Sequence, residues 1–322
     1  MSLPYFDAAA VRAAVPFERA VRAIEEGLLD GVDPEQDSKR LFSPAPDGEF
    51  LIMPTEGGGR FSGVKVATIA PANPARGLEK IQGVYVLFDS ATLAPVAMMD
   101  GAELTAIRTP ATTLAAVKHI AAAAPAGEGF GTAPQIAVFG AGVQALNHIR
   151  AARAVFADAT FAVVGKRPQR VAELVATLAA EGTSVSDASG DPQAVVAGAD
   201  VVLCVTSSPE PLFDGRLPRD GAIIASVGQH GLDAREVDAA LVLRSDIVVE
   251  GRASSWRESG DLIPARSVAE WQRIEPPNLR DLIRGKLVRR PGTCCLYTGV
   301  GMAWEDLVTA AVVYEEGSKS CR

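Results

Sequence analysis

Histidine is scarce in this chain of 322 residues: only His119, His148 and His230 occur. Cysteine is scarce too, limited to Cys204, Cys294, Cys295 and Cys321. No C-x-x-C pair is present and no histidine cluster accompanies the thiols at ligand spacing, so no metal site is expected. Reduced thiols of a cytoplasmic protein are the plain expectation. Positive charge is also in deficit, with 31 Lys and Arg against 39 Asp and Glu and a net charge of −8. Counterion release from a nucleic acid needs a basic face, which argues against general nucleic-acid binding. An anionic small molecule stays admissible, because a pocket can be locally basic on an acidic protein. No run approaches the roughly 18 apolar residues of a membrane helix. The opening residues, Met1 to Asp7, lack a basic stretch leading into an apolar one, so no secretory leader is expected.

What is present is ordinary globular material, 48% hydrophobic and 22% charged. The length exceeds what one core usually supports, which predicts two domains. Apolar spacing predicts a helix over residues 7–29 carrying Val11, Val15, Val21, Ile24 and Leu28. Strand-like runs follow at 50–53, 63–69, 83–88 and 95–99, the last two joined by a turn at 89–92. A helix is expected from Pro110 to Ala123, with Pro110 at its first position and Thr109 as its cap, placing Arg108 beside the helix N-terminus. Residues 124–134, rich in Gly and Pro, read as a linker. Beyond it, apolar runs at 136–139, 161–164, 201–205, 222–227 and 247–249 alternate with helical stretches, which implies βαβ units and a mostly parallel sheet. The fold class is therefore α/β, with a mid-chain Rossmann domain over 126–299. An α+β domain over 1–125 is joined by a C-terminal helix within 300–322.

The sharpest motif is the run Gln-Ile-Ala-Val-Phe (135–139) entering Gly140-x-Gly142-x-x-Ala145 and then a helix. Gly140 permits the tight turn, Gly142 lets backbone approach a pyrophosphate, and Ala145 allows close packing of helix on sheet. The helix N-terminus, with Val143 and Gln144 in its first turn, offers free N–H groups and a positive dipole end. The second strand ends Val163-Val164-Gly165-Lys166-Arg167. No acid stands there to bind ribose hydroxyls, and two cations suit a 2′-phosphate, so NADP(H) is preferred with NAD(H) as the alternative. Lys65 also stands out, since it interrupts the apolar run between Val64 and Val66.

Further blocks extend over residues 40–314 in one order: Gly63-Val-Lys65-Val, Pro71-Ala-Asn73-Pro, Gly83-Val-Tyr-Val-Leu-Phe-Asp89 and Leu104-Thr-Ala-Ile-Arg108-Thr109-Pro. Gly198-Ala-Asp200, Ser226-Val-Gly228 and Gly299-Val-Gly301-Met-Ala-Trp-Glu-Asp306 complete them. In these blocks the chain resembles the ornithine cyclodeaminase/mu-crystallin family. The resemblance implies a homodimer whose substrate domains pair and a small amino or imino acid as substrate. It implies that Arg40, Lys65 and Arg108 hold the substrate carboxylate. By the same resemblance Thr109, Thr206, Val227 and Gly228 join Gly140, Gly142, Val143, Gln144, Lys166 and Arg167 at the cofactor.

Cyclodeaminases of this family carry an aspartate two residues after the glycine matching Gly228; here His230 stands there. Without that anion, binding the second amine of a diamino acid is poorly supported. The expected activity is NAD(P)H-dependent reduction of an α-imino acid, such as pyrroline- or piperideine-2-carboxylate, by hydride transfer to C2. Lys65, His230 or water would supply the proton, imidazole being a group that titrates near neutrality. The alternatives are an ornithine cyclodeaminase and a non-catalytic NADPH-gated binder of the mu-crystallin type. The loop Glu56 to Gly59 and Met53 are expected near the substrate, Trp304 in the core, and Cys294 and Cys295 against packing or solvent.

Overall fold

A computed structural model of the chain describes residues 3–55 and 59–320; Glu56, Gly57, Gly58 and Cys321 lie outside the described residues. The chain divides into two compact units, Met1–Thr112 with Met302–Arg322, and Thr113–Gly301. The segment 124–134 has neither helix nor strand and belongs to the second unit.

The first unit opens with β1 (Tyr5–Phe6), α1 (Ala8–Ala14) and α2 (Phe17–Leu29). The single helix expected over 7–29 is two helices. Pro16 disfavours helical geometry at Val15, which closes α1, and Pro16 itself caps α2. Then come β2 (Leu41–Ala45), β3 (Gly48–Thr55), β4 (Phe61–Ile69), β5 (Ile81–Asp89), β6 (Pro95–Asp100) and α3 (Gly101–Ala122). The sheet order is β1-β6-β5-β4-β3-β2, antiparallel except for the short β1–β6 pair. Period-2 alternation gives it two faces. Leu51, Met53, Ala67, Tyr85, Leu87 and Met99 are buried, with Ala303 of the C-terminal helix (Ala303–Ser320) packed on Leu51, Met53 and Ala67. Lys65 lies on this buried face, in register between Met53 and Tyr85. The opposite face carries the rows Ile52–Val66–Val84 and Val64–Val86–Met98, all partly exposed, with Phe50 beside them at 41% exposure.

A further correction concerns α3. It begins nine residues before Pro110, which sits inside it, so Thr109 caps nothing and Arg108 is a mid-helix residue. The true cap is Asp100, whose Oδ1 accepts from Glu103 N at 2.8 Å. An internal proline costs about 3 kcal/mol or more. Burial of Leu104, Ile107, Ala111, Leu114 and Val117 at 0–3% exposure outweighs it.

The second unit is a parallel sheet of β7 (Gln135–Phe139), β8 (Thr160–Val164), β9 (Val185–Asp187), β10 (Val201–Cys204), β11 (Ile223–Ser226), β12 (Asp246–Val249) and β13 (Cys295–Thr298). Its order is β12-β13-β11-β10-β7-β8-β9. Read from β7, the strands β9-β8-β7-β10-β11 follow the doubly wound order 3-2-1-4-5, with β13 inserted between β11 and β12 and the topological switch between β7 and β10. Helices α4 (Val143–Val155) and α5 (Pro168–Ala180) follow β7 and β8. Strand β13 was not expected from the sequence. All four of its residues are buried between β11 and β12, and Cys294 and Cys295 are 0% exposed, so both thiols face packing rather than solvent.

Candidate functional site

The turn between β7 and α4 tests whether its glycines serve the fold or a ligand. Gly140 has φ +128°, and a Cβ there would lie 3.0 Å from the Val205 carbonyl oxygen, so the fold itself requires glycine. Gly142 differs. It is exposed, its φ of −108° suits any residue, and an added Cβ would meet nothing within 4 Å. The fold does not explain this glycine, whereas a pyrophosphate approaching the backbone does. Gly142 is the N-cap of α4 without a side-chain cap, which leaves the first-turn N–H groups of Val143 and Gln144 to an anion. Ala145 is fully buried beneath them. These residues fit a dinucleotide phosphate. At the end of β8, Lys166 and Arg167 are both exposed and form no ion pair among the described residues, and Arg167 is the N-cap of α5.

The carboxyl ends of β10 and β11 hold the other expected contacts, Thr206, Val227 and Gly228. The N–H and hydroxyl of Thr206 donate to Glu236 Oε1 at 2.6 and 2.7 Å, and Gly228 N donates to Glu236 Oε2 at 2.7 Å. Thr206 is thus anchored inward, and Glu236, unmarked in the sequence reading, holds both loops. Glu250 does the same for the turn after β13, accepting from Val300 N at 3.0 Å and Gly301 N at 2.9 Å.

In the first unit the structure brings Lys65 and Arg108 together. Lys65 Nζ donates to Asp306 Oδ2 at 2.7 Å and to Thr105 Oγ1 at 3.1 Å. Arg108 Nη1 meets Glu305 Oε2 at 2.5 Å, and its Nε lies 3.3 Å from Asp306 Oδ1. Both acids are fully buried, and Lys65 and Arg108 are 3% and 5% exposed. Burial pulls the Lys65 ammonium down to about 8, against the upward pull of Asp306. Asp37 Oδ2 accepts from Ala303 N at 2.8 Å at the start of the C-terminal helix. Burial, reinforced by Glu305 and Asp306, pushes its carboxyl up to about 7. The Tyr85 hydroxyl is held well above its usual range by burial and by Asp306 and Asp37, and it occupies the space that a Cβ on Gly63 would take.

Arg40 is half-buried just before β2, and His230 is exposed on the loop after β11. Sequence reasoning missed the acids, although Glu305 and Asp306 stand directly before the largely apolar stretch Leu307 to Val313 as Lys65 interrupts an apolar strand. That signal was available.

Comparison with known proteins places these features. A model of the ornithine cyclodeaminase/mu-crystallin family matches residues 7–320. Delta(1)-pyrroline-2-carboxylate reductase 2 of Burkholderia ambifaria is 31% identical over 315 residues, covering 95% of this chain and 93% of that one. The Delta(1)-pyrroline-2-carboxylate/Delta(1)-piperideine-2-carboxylate reductase of Azospirillum brasilense is 30% identical, covering 95% and 93%. The solved structure of Thermococcus litoralis Delta(1)-pyrroline-2-carboxylate reductase, in complex with NADH and L-proline, shares the fold at TM-score 0.82 and 23% identity, covering 99% and 98%. No helix among the described residues is long and apolar enough to cross a membrane.

Proposed function

The chain belongs to the ornithine cyclodeaminase/mu-crystallin family, and from that membership we propose that it is an NAD(P)H-dependent reductase of cyclic α-imino acids, such as pyrroline- or piperideine-2-carboxylate. The observation that carries this reading in the chain itself is Lys65. Its buried ammonium is fixed by Asp306 and Thr105, which leaves one of three donors without a partner among the described residues. In this reading Lys65 and Arg108, with Arg40, hold the substrate carboxylate. Glu305 and Asp306 orient the two buried cations.

A nicotinamide cofactor held at this site would supply a hydride to C2. As the new C–H bond forms, the C=N π pair moves to nitrogen, which takes a proton to give the secondary amine. Lys65 is the donor in this scheme, its ammonium brought by burial close to working pH; His230 is the second candidate. The turn at Gly140 and Gly142, with Val143 and Gln144, binds the pyrophosphate. Thr109, Thr206, Val227 and Gly228 complete the cofactor contacts. Lys166 and Arg167 favour NADP(H) over NAD(H) through the 2′-phosphate.

We further propose a homodimer. Rows of Val, Ile and Met on the open face of the first unit's sheet form the kind of apolar surface that soluble proteins cover, and a second copy is its occupant. Val66→Glu on that face should yield monomers in sedimentation; an unchanged mass would sink the idea. The buried, unbridged Cys204, Cys294 and Cys295 suit a cytoplasmic location, which cell fractionation checks.

The direct test is NADPH oxidation at 340 nm with each cyclic imine, run beside NADH. Turnover is expected, with kcat falling as pH rises through about 8 while Lys65 loses its proton. Lys65→Met should lower kcat by about a hundredfold or more. No oxidation together with ammonia release from ornithine would return the chain to the cyclodeaminases. Tight NADPH-dependent ligand binding without turnover would make it a binder.

A further inference from the structure

Glu236 is fully buried in the second unit and takes part in no step described above. Its two oxygens gather donors from two different loops. Oε1 accepts the N–H and hydroxyl of Thr206, after β10, and Oε2 accepts Gly228 N, after β11, with Ser226 Oγ at 3.3 Å. Asp261 fixes Glu236 in turn. Its Oδ1 accepts from Glu236 N at 2.8 Å and Val237 N at 3.1 Å, and its Oδ2 from Ser226 Oγ at 2.7 Å. The fit leaves no slack. A Cβ on Gly228 would lie 2.2 Å from the Thr206 carbonyl oxygen and 2.7 Å from Glu236 Oε1.

Strands β10 and β11 belong to the half of the sheet opposite the adenosine-binding β7–β8 half, the half that takes the second nucleotide in doubly wound dinucleotide folds. Burying a carboxylate is costly unless donors converge on it. Here those donors are the two loops themselves, so loop geometry and carboxylate depend on each other. We propose that Glu236 is a positioning residue for the nicotinamide half of the cofactor site, a clasp that fixes the β10 and β11 loops in their binding shape. This inference rests on the dinucleotide reading of the second unit.

A pH dependence follows. The groups around the clasp are Asp261, the Cys204 thiol on β10, the hydroxyls of Thr206 and Ser226, and Arg235, whose charge acts on Asp261. Burial, aided by Asp261, pushes the Glu236 carboxyl up to about 7, against the hydrogen bonds from Thr206 and Gly228. Once protonated, the carboxyl must donate where it formerly accepted, and the clasp loosens.

The test compares NADPH with 2′,5′-ADP, which carries only the adenosine half, as titrated ligands of wild-type chain and Glu236→Gln. The variant should bind NADPH about tenfold or more weakly, while 2′,5′-ADP binds within about twofold of wild type. Relative to 2′,5′-ADP, wild-type NADPH affinity should tighten from about pH 6 to about pH 8, and the variant should show no such trend. NADPH binding within about twofold of wild type with the same pH trend overturns the inference. So does equal loss of both ligands, which would mark a general structural role. Should the glutamine chain not fold, Ser226→Ala removes the hydroxyl that links Asp261 to Glu236 and keeps every carboxylate and every residue assigned to the cofactor; a loss confined to NADPH of about threefold or more supports the clasp, and none refutes it. A wild-type chain that binds neither ligand overturns the dinucleotide reading itself, and the inference with it.

Discussion

Both units bury acidic side chains, and they satisfy them by opposite means. In the first, Glu305 and Asp306 at 0% exposure face Lys65 and Arg108 at ion-pair distance. In the second, Glu236 and Asp261 form no ion pair among the described residues and are held by backbone N–H groups and hydroxyls. Dipoles alone leave burial as the dominant influence, which raises both of these carboxyls. Asp37 sharpens the lesson. Its bonded partner too is a backbone N–H, the charges of Glu305 and Asp306 add to its burial, and it rises to about 7 like Glu236.

The largest effect should come from breaking the counter-ion pairs. Asp306→Ala takes from the buried Lys65 its carboxylate partner and from Arg108 one of two acidic neighbours, Glu305 remaining, and should cost about 3–5 kcal/mol in urea unfolding. A loss below about 1 kcal/mol would erase the contrast between the units. Next in size is a pH effect at Glu236 in the second unit. The folded carboxyl of Glu236 titrates near 7 against an ordinary value of 4.5, so the folded state holds the extra proton between these values. Stability from this group is therefore greatest below about 4.5 and falls as pH rises through about 7, by at most roughly 3 kcal/mol. Urea titrations across this window should show a shallower decline for Glu236→Gln; parallel curves would mean that Glu236 keeps an ordinary pKa. The smallest effect belongs to the exposed cations, which water and salt screen. Replacing Lys166 and Arg167 together by Ala should weaken NADPH binding by about tenfold at low salt and leave NADH unchanged. Equal weakening of both cofactors would remove the 2′-phosphate assignment.

Much of the second unit was legible because its signals are local. The buried run before Gly140, the spacing to Gly142 and Ala145, and the missing acid at Lys166 each lie within a few residues of one another. Lys65 was legible as a charge interrupting an apolar strand. Strand β13 was not, since Cys294 and Cys295 were read as thiols when they behave as small apolar residues, one just before and one within a strand buried on both faces. The start of α3 was misjudged because Pro110 resembles a first helical residue. Asp100 and Glu103, at capping-box spacing, carried the better signal.

The sequence by itself determined the family, the alternation of strand and helix and the glycine turn between β7 and α4. Each depends on periodicity or turn sterics acting over a few residues. Only the tertiary structure decided which acids answer which cations and which carboxylate holds the loops after β10 and β11. Lys65 meets Asp306 across 241 residues, Arg108 meets Glu305 across 197, and Glu236 reaches Thr206 across 30. The physical reason is burial. A charge takes its behaviour from whatever the closed fold places within hydrogen-bond reach, and no local pattern specifies that neighbour.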